Sequence, residues 1–429
     1  MKVVALITEY NPFHSGHSYH IQKAKELAGA DYCVVVMSGH YVQRGEPACM
    51  DKYLRTDIAL RSGADLVLEL PVPFATGSAE FFAAGAVSIL DRLGVVDELC
   101  FGSESGNLPL ISSVASIFSN EPEAFSVAVK QFLADGASYP AARGQALIGY
   151  LTDHPLPGNL SASMEEIQSL ISAPNNILGI EYVKALSRRH SSIRPATLLR
   201  TSSYLSKTLS APHCSSSAIR HVFQSRNSDS QPTTQAMKTV RSCVPKEAYA
   251  VMSENFNSRL PIFVDDFSSM LLYKLLSARN SDLTDYLDVS PDLENRIKGN
   301  LTGASTFSAF IDTVKCRQYT RTRISRALLH ILLDIKVEDF VRYKENGFVP
   351  YARVLGFRKS AEPLLKIIKH NSALPLITKM ADAERKLTPM GADMLGQEIF
   401  AASLYQSVVF HKYGCRMKNE YTHGVIILD

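Results

Sequence analysis

A chain of 429 residues is longer than one ordinary hydrophobic core organises, so two or three domains are expected. Its 46% hydrophobic and 20% charged residues are the balance of a soluble globular protein; the opening run Met1–Ile7 is too short for a signal-peptide core, and no stretch approaches a membrane span, so a cytoplasmic protein without a membrane partner is expected. The net charge of +3 hides an asymmetry: residues 311–372 hold 13 lysines and arginines against 6 acids, which directs any polyanion to the C-terminal part.

Val3–Ile7 reads as a buried strand, followed by a helix over His17–Ala28 that Gly29 stops. Tyr32–Met37 is the next strand. Asp51 caps a helix reaching Ser62, Asp65–Leu70 is a third strand ended by Pro71, and Ser78 starts a helix with Phe82, Ala86, Ile89 and Leu93 on one face. Leu99–Phe101 is a fourth strand, with Gly102 behind it. Continuous apolar strands separated by helices predict an α/β fold, a parallel sheet covered on both faces, with ligands beyond the carboxyl ends of its strands. His14, Ser38-Gly39-His40 and Gly102 all fall at such ends.

Residues 107–172 read as largely helical, Pro174–Leu186 as a helix and Arg194–Leu199 as a strand. Ser215-Ser216-Ser217 opens a further helix, its hydroxyls either simple caps or also holders of phosphate. Ser225–Thr234 is the clearest linker, dividing a first unit of residues 1–224 from a mostly helical, basic second unit of residues 235–429. Helices are expected over Asp266–Ser277, Pro291–Asn300 and Thr322–Leu333. Val349–Phe357 reads as extended, part of a small mixed element closing the C-terminal unit. Seven scattered cysteines with no Cys-x-x-Cys pair predict buried free thiols, without disulfides or structural zinc.

His14-Ser15-Gly16-His17 sits between the first strand and the first helix. A helix N-terminus offers unpaired N–H groups and the positive end of its dipole, and two histidines one turn apart can meet charge developing on a phosphate. Adenylyl chemistry follows from that order of elements. Zinc on His14, His17 and His20 is the competing reading, disfavoured because no His-Glu-x-x-His signature is present; no metal ligands are assigned. His40–Pro47 is a polar loop of the kind that carries function or merely connects. Lys315, Arg317, Arg321, Arg323 and Arg326, with Tyr319 among them, suit an RNA backbone or form a solvated helix face.

Thr8-Glu9-Tyr10-Asn11-Pro12-Phe13-His14-Ser15-Gly16-His17 resembles the opening of the bacterial tRNA(Met) cytidine acetate ligases. So do Met37-Ser38-Gly39-His40 with Gln43-Arg44-Gly45-Glu46-Pro47, Phe101-Gly102-Ser103-Glu104, Pro174-Asn175-Asn176-Ile177-Leu178-Gly179, Arg317-Gln318-Tyr319-Thr320-x-x-Arg323 and Tyr351-Ala352-Arg353-Val354-Leu355-Gly356. The resemblance covers nearly the whole chain. It implies a Rossmann-like nucleotidyltransferase fold with the His-x-Gly-His turn also found in class I aminoacyl-tRNA synthetases.

The implied reaction joins acetate to the wobble cytidine of elongator tRNA(Met), giving N(4)-acetylcytidine through an acetyl-adenylate made from ATP, with Mg²⁺ accompanying the triphosphate. The implied ATP site is Ile7, Thr8, Glu9, Tyr10, Asn11, Pro12, Phe13, His14, Ser15, Gly16, His17, Ser18, Tyr19 and His20, with Gly102, Asn175 and Arg200. His14 and His17 would hold phosphate oxygens of the transition state, Gly16 and Gly102 would allow close approach, and Ser217 and Arg220 would hold the triphosphate. The triple serine departs mildly from the related Ser/Thr-x-x-Arg helix start. The runner-up readings are an adenylyltransferase acting on a small cofactor precursor and a non-catalytic RNA-binding protein.

Overall fold

The computed structural model describes residues 1–158, 160–200, 214–225, 233–302 and 305–429. Strands β1 (Val3–Thr8), β2 (Tyr32–Ser38), β3 (Leu66–Leu70), β4 (Glu98–Ser103) and β5 (Arg194–Leu199) form a parallel sheet in the order β3-β2-β1-β4-β5. Alternation along each strand feeds two cores. Val3, Ala5, Val34, Val36, Leu66 and Leu68 point to one face, and Val4, Leu6, Cys33, Val35, Met37 and Val67 to the other. Burying Val3, Val4 or Leu6 stabilises the fold by about 1.5–3 kcal/mol each.

The flanking helices lie where the sequence signals place them, to within two residues at their ends. Helix α1 (Ser15–Ala28) turns Ile21, Ala24 and Ala28 inward and ends at Gly29, whose φ of 57° is the left-handed conformation glycine adopts freely. It begins two residues before the expected His17, because the His14 side chain caps it. Helix α2 (Lys52–Arg61) is capped by Asp51, whose Oδ1 accepts the N–H groups of Tyr53 and Leu54 at 3.0 and 3.1 Å. Helix α3 (Ala79–Arg92) and helix α4 (Pro174–Arg188) cover the opposite face. Chain order reverses at β1: β2 lies on one side, β4 on the other, and the crevice beyond β1 and β4 is a topological switch point.

The second half is mostly helical and has its own core of Phe267, Leu271, Leu275, Phe307, Phe310, Ile324 and Leu328, into which Tyr41 and Val72 of the first half insert. Its helices include α5 (Arg321–Leu332) and the 25-residue α6 (Pro389–Tyr413). The extended segment near Val349–Phe357 behaves differently from expectation. It forms β6 (Ala352–Arg358), which pairs antiparallel with β3, and β7 (Ile426–Leu428) adds beyond it. The first-half sheet therefore continues into the second half. The exposed edge of β3 needed a partner, and hydrophobic pattern alone does not say which strand supplies it.

Two further features depart from the sequence reading. Cys214 and Cys243 form a disulfide, because the start of one helix and the end of another meet although they lie 29 positions apart in the chain. Lys52, Glu69, Arg353, Glu398 and Glu420 are buried together. Lys52 Nζ lies 2.6 Å from Glu69 and 2.7 Å from Glu420; Arg353 lies 2.8 Å from Glu69 and 2.6 Å from Glu420. Three carboxylates face two cations, and burial together with Glu69 pushes Glu398 up to about 8, so it keeps a proton at neutral pH. Of the expected linker, residues 226–232 lie outside the described ones. Among the described residues no helix is long and apolar enough to cross a membrane.

Candidate active site

The crevice at the switch point is a cleft open to solvent at its mouth. The ends of β1, β4 and β5 and the starts of α1 and α4 supply most of its wall. Buried Arg55 of α2 fixes two of the strand ends: its guanidinium donates to the carbonyls of Glu9 (2.6 Å), Ser38 (2.9 Å), Gly39 and Met50 (3.0 Å).

His14 and His17 cap α1 reciprocally. The Gly16 N–H donates to His14 Nδ1 at 3.0 Å, and the His14 N–H donates to His17 Nδ1 at 3.2 Å. A ring nitrogen that accepts from a backbone N–H carries no proton, so in each neutral imidazole the proton is on Nε2. The rings stack with centroids 3.8 Å apart. Burial, and then the Arg200 charge, lowers His14 to about 3 and His20 to about 4. Burial lowers His17 too, followed by His14 and Arg200. All three are uncharged at neutral pH. Two fixed Nε2–H donors therefore stand beside a helix N-terminus that has no acid in its first turn.

Gly16 matters in a way the motif alone does not reveal. A Cβ on it would sit 2.8 Å from His14 Cε1, so the glycine makes room for the capping ring. Likewise the space beside Gly102 is filled by the Arg200 stem, 3.2 Å from where a Cβ would be.

The cleft brings together Ile7, Thr8, Glu9, Tyr10, Asn11, His14, His17 and His20 with Gly102, Asn175, Arg200 and Arg220. Arg220 donates to the Asn11 carbonyl at 2.5 Å. Asn175 Nδ2 is held by Glu104 at 2.6 Å, which leaves its side-chain oxygen to act as an acceptor.

Other residues of the sequence reading stand behind the wall. Phe13 is buried and supports Tyr10 and His17, Ser15 donates to the Cys243 carbonyl, Tyr19 is exposed, and Ser217 lies 3.5 Å from Arg220. Pro12, Gly16 and Ser18 also lie outside the lining, although the Pro12 carbonyl accepts from Ser216.

Gln43, Phe82, Phe101, Leu178 and Tyr182 line the cleft without a spacing signal that assigns them to it, and Ser215 and Ser216 line it as members of the serine run whose hydroxyls could hold phosphate. Gln43 falls in the flagged polar loop and Ser215-Ser216 in the flagged serine run. Phe82, Leu178 and Tyr182 sit on amphipathic helices, where a cleft residue looks like a core residue.

The basic run is elsewhere, around α5. Arg321 pairs with Asp312, Arg326 with Asp288 at 2.9 Å, and Arg323 lies over the Tyr319 ring at 4.9 Å. Lys315 and Arg317 are exposed.

Residues 1–420 match the model of the HIGH Nucleotidyl Transferase family. The chain is 39% identical to the tRNA(Met) cytidine acetate ligase of Acetivibrio thermocellus over the full length of both, and 37% identical to that of Alkaliphilus metalliredigens over 99% of this chain and 97% of that one. Among solved structures it is similar to Thermotoga maritima TmcAL bound with alpha-thio ATP, with a TM-score of 0.90 and 30% identity over the whole of both chains. The apo form of the same protein gives 0.91. This chain belongs to the tRNA(Met) cytidine acetate ligases, within the HIGH nucleotidyl transferase family.

Proposed function

We propose that the chain is an ATP-dependent ligase joining acetate to the N4 amine of the wobble cytidine of elongator tRNA(Met). One observation carries this reading: two neutral imidazoles, each with its proton fixed on Nε2, stand at a helix N-terminus in the switch-point cleft, with Arg200 and Arg220 beside them. That arrangement suits charge developing on an α-phosphate.

Acetate oxygen attacks the α-phosphorus, the bond to the bridging oxygen breaks, and pyrophosphate leaves with the electron pair. His14 and His17 donate to the phosphoryl oxygens from Nε2, and Arg200 and Arg220 balance the triphosphate. The cytidine amine then attacks the acetyl carbon and AMP leaves. A conjugated amine is a weak nucleophile, and the mixed anhydride supplies the activation.

Among the described residues no group of three or more His, Cys, Asp and Glu side chains is placed to hold a metal ion, and Glu9 is the one carboxylate lining the cleft. The described lining thus offers no chain-held cation site, and Mg²⁺ would arrive on the triphosphate as part of the substrate. Lys315, Arg317 and Arg323 form the surface we assign to tRNA, and residues 1–224 and 235–429 the catalytic and tRNA-facing units.

The test is incubation with labelled acetate, ATP and total tRNA, followed by nucleoside analysis. Label in N(4)-acetylcytidine with stoichiometric AMP supports the reading. A stable dinucleotide product, or no label in tRNA, overturns it.

A further inference from the structure

The cleft has two sides, set by strand order. On the β4 and β5 side its wall is Phe101, Gly102 and Arg200, continued by Asn175, Leu178 and Tyr182 of α4. On the β2 side it is Gln43, in the loop after that strand. This loop docks directly on α5. Ser325 Oγ donates to the Gly45 carbonyl at 2.8 Å, and Gly45, at a φ of +74°, lies so close that a Cβ would come within 2.4 Å of the Arg326 nitrogen. Helix α5 carries Arg323, and Lys315 and Arg317 lie just before it. The β2 wall thus packs on the helix that carries the basic residues, and under the proposed function that is the side from which a polyanionic acceptor would approach.

Glu9 stands at the end of β1 and belongs to the β2 side. Its Oε1 accepts the Gln43 N–H at 2.8 Å, its one side-chain hydrogen bond among the described residues, which leaves Oε2 for a ligand. We propose that Glu9 is the general base of the second half-reaction, taking the proton from the cytidine N4 amine as the amine attacks the acetyl-adenylate.

The step balances. The N4 lone pair forms the bond to the acetyl carbon, the bond from that carbon to the AMP oxygen breaks, AMP leaves with its electron pair, and one N4 proton passes to Glu9 Oε2 and then to water. The surroundings suit a base. Burial raises the carboxyl above its usual range; the Gln43 N–H and then the Arg44, Arg220 and Arg55 charges counter that rise, and Tyr182 feels the Glu9 charge. A carboxylate so placed has more affinity for a proton than one in water, yet stays ionisable.

The proposal rests on the ligase reading above, and the experiment separates the two. Glu9→Gln keeps an acceptor for Gln43 and removes the base. Acetate-dependent exchange of pyrophosphate into ATP reads the first half-reaction. Single-turnover transfer to tRNA from enzyme preloaded with acetyl-adenylate reads the second, as a function of pH. We expect transfer to fall at least about 100-fold more than exchange, and the acid limb of the transfer profile, present in the wild type, to vanish. Equal losses in both half-reactions with an unchanged profile, or transfer at the wild-type rate, overturn the assignment. A wild-type enzyme that exchanges pyrophosphate but never acetylates tRNA instead overturns the ligase reading.

Discussion

Replacing Gly16 by alanine separates what the His-x-Gly-His turn does for folding from what it does for chemistry. In the first turn of α1 an alanine is intrinsically better than glycine by up to about 1 kcal/mol. The new Cβ, however, lies 2.8 Å from His14 Cε1 and 3.0 Å from Nδ1, where ordinary contact begins near 3.4 Å, so the ring must move by several tenths of an ångström. That movement strains the bond from the Gly16 N–H to Nδ1, and loss of a helix cap costs about 0.5–2 kcal/mol. The two effects offset, and thermal unfolding should shift little. The displaced Nε2–H, by contrast, no longer meets the phosphate squarely; a full 1 Å misplacement costs on the order of 100-fold, so several tenths of an ångström should cost about 10-fold. Acetate-dependent pyrophosphate exchange should therefore fall by about that factor in a folded protein. Exchange at the wild-type rate would refute the view that Gly16 exists to seat His14.

The remaining tests address the same account elsewhere. His14→Ala and His17→Ala should each lower adenylate formation by about 10²–10³-fold while the circular dichroism spectrum stays native; retained exchange would remove them from phosphate stabilisation. Arg323→Ala should weaken tRNA binding and reduce the log–log salt slope by about 0.7–0.9, whereas Arg326→Ala, which strips Asp288 of its partner, should chiefly lower stability; filter binding and denaturant melts distinguish them. Glu398 is protonated when folded up to about pH 8 but ionises near 4.3 when unfolded, so the unfolded chain binds fewer protons between those values and wild-type stability should fall as pH rises through that window. Glu398→Gln should flatten that fall in urea melts at pH 5 to 8.

The first five strands and their helices were legible because each obeys a local rule. Strands β1 and β2 are mainly runs of buried apolar residues, Gly29 and Asp51 mark helix ends, and the His14 turn follows the first strand. What escaped depends on contacts distant in sequence. Nothing in the residues around Val354 says that β6 pairs with β3, and nothing around Cys214 says that Cys243 is its neighbour. Helix α6 turns Met394, Leu395, Ala401, Ala402 and Tyr405 inward, yet its buried face includes Glu398, which breaks the apolar pattern until Lys52 is seen opposite. At the site, His14 and His17 could be named from spacing. Arg55, which ties the strand ends together, sits in a helix where it reads as a solvated residue.

The most direct measurement is pyrophosphate exchange with purified protein, ATP and acetate in the absence of tRNA. The expected result is acetate-dependent exchange that His14→Ala and His17→Ala each reduce by about 10²–10³-fold. Exchange that needs no acetate, or that runs at the wild-type rate in both variants, would contradict the claim that this cleft makes an acyl-adenylate.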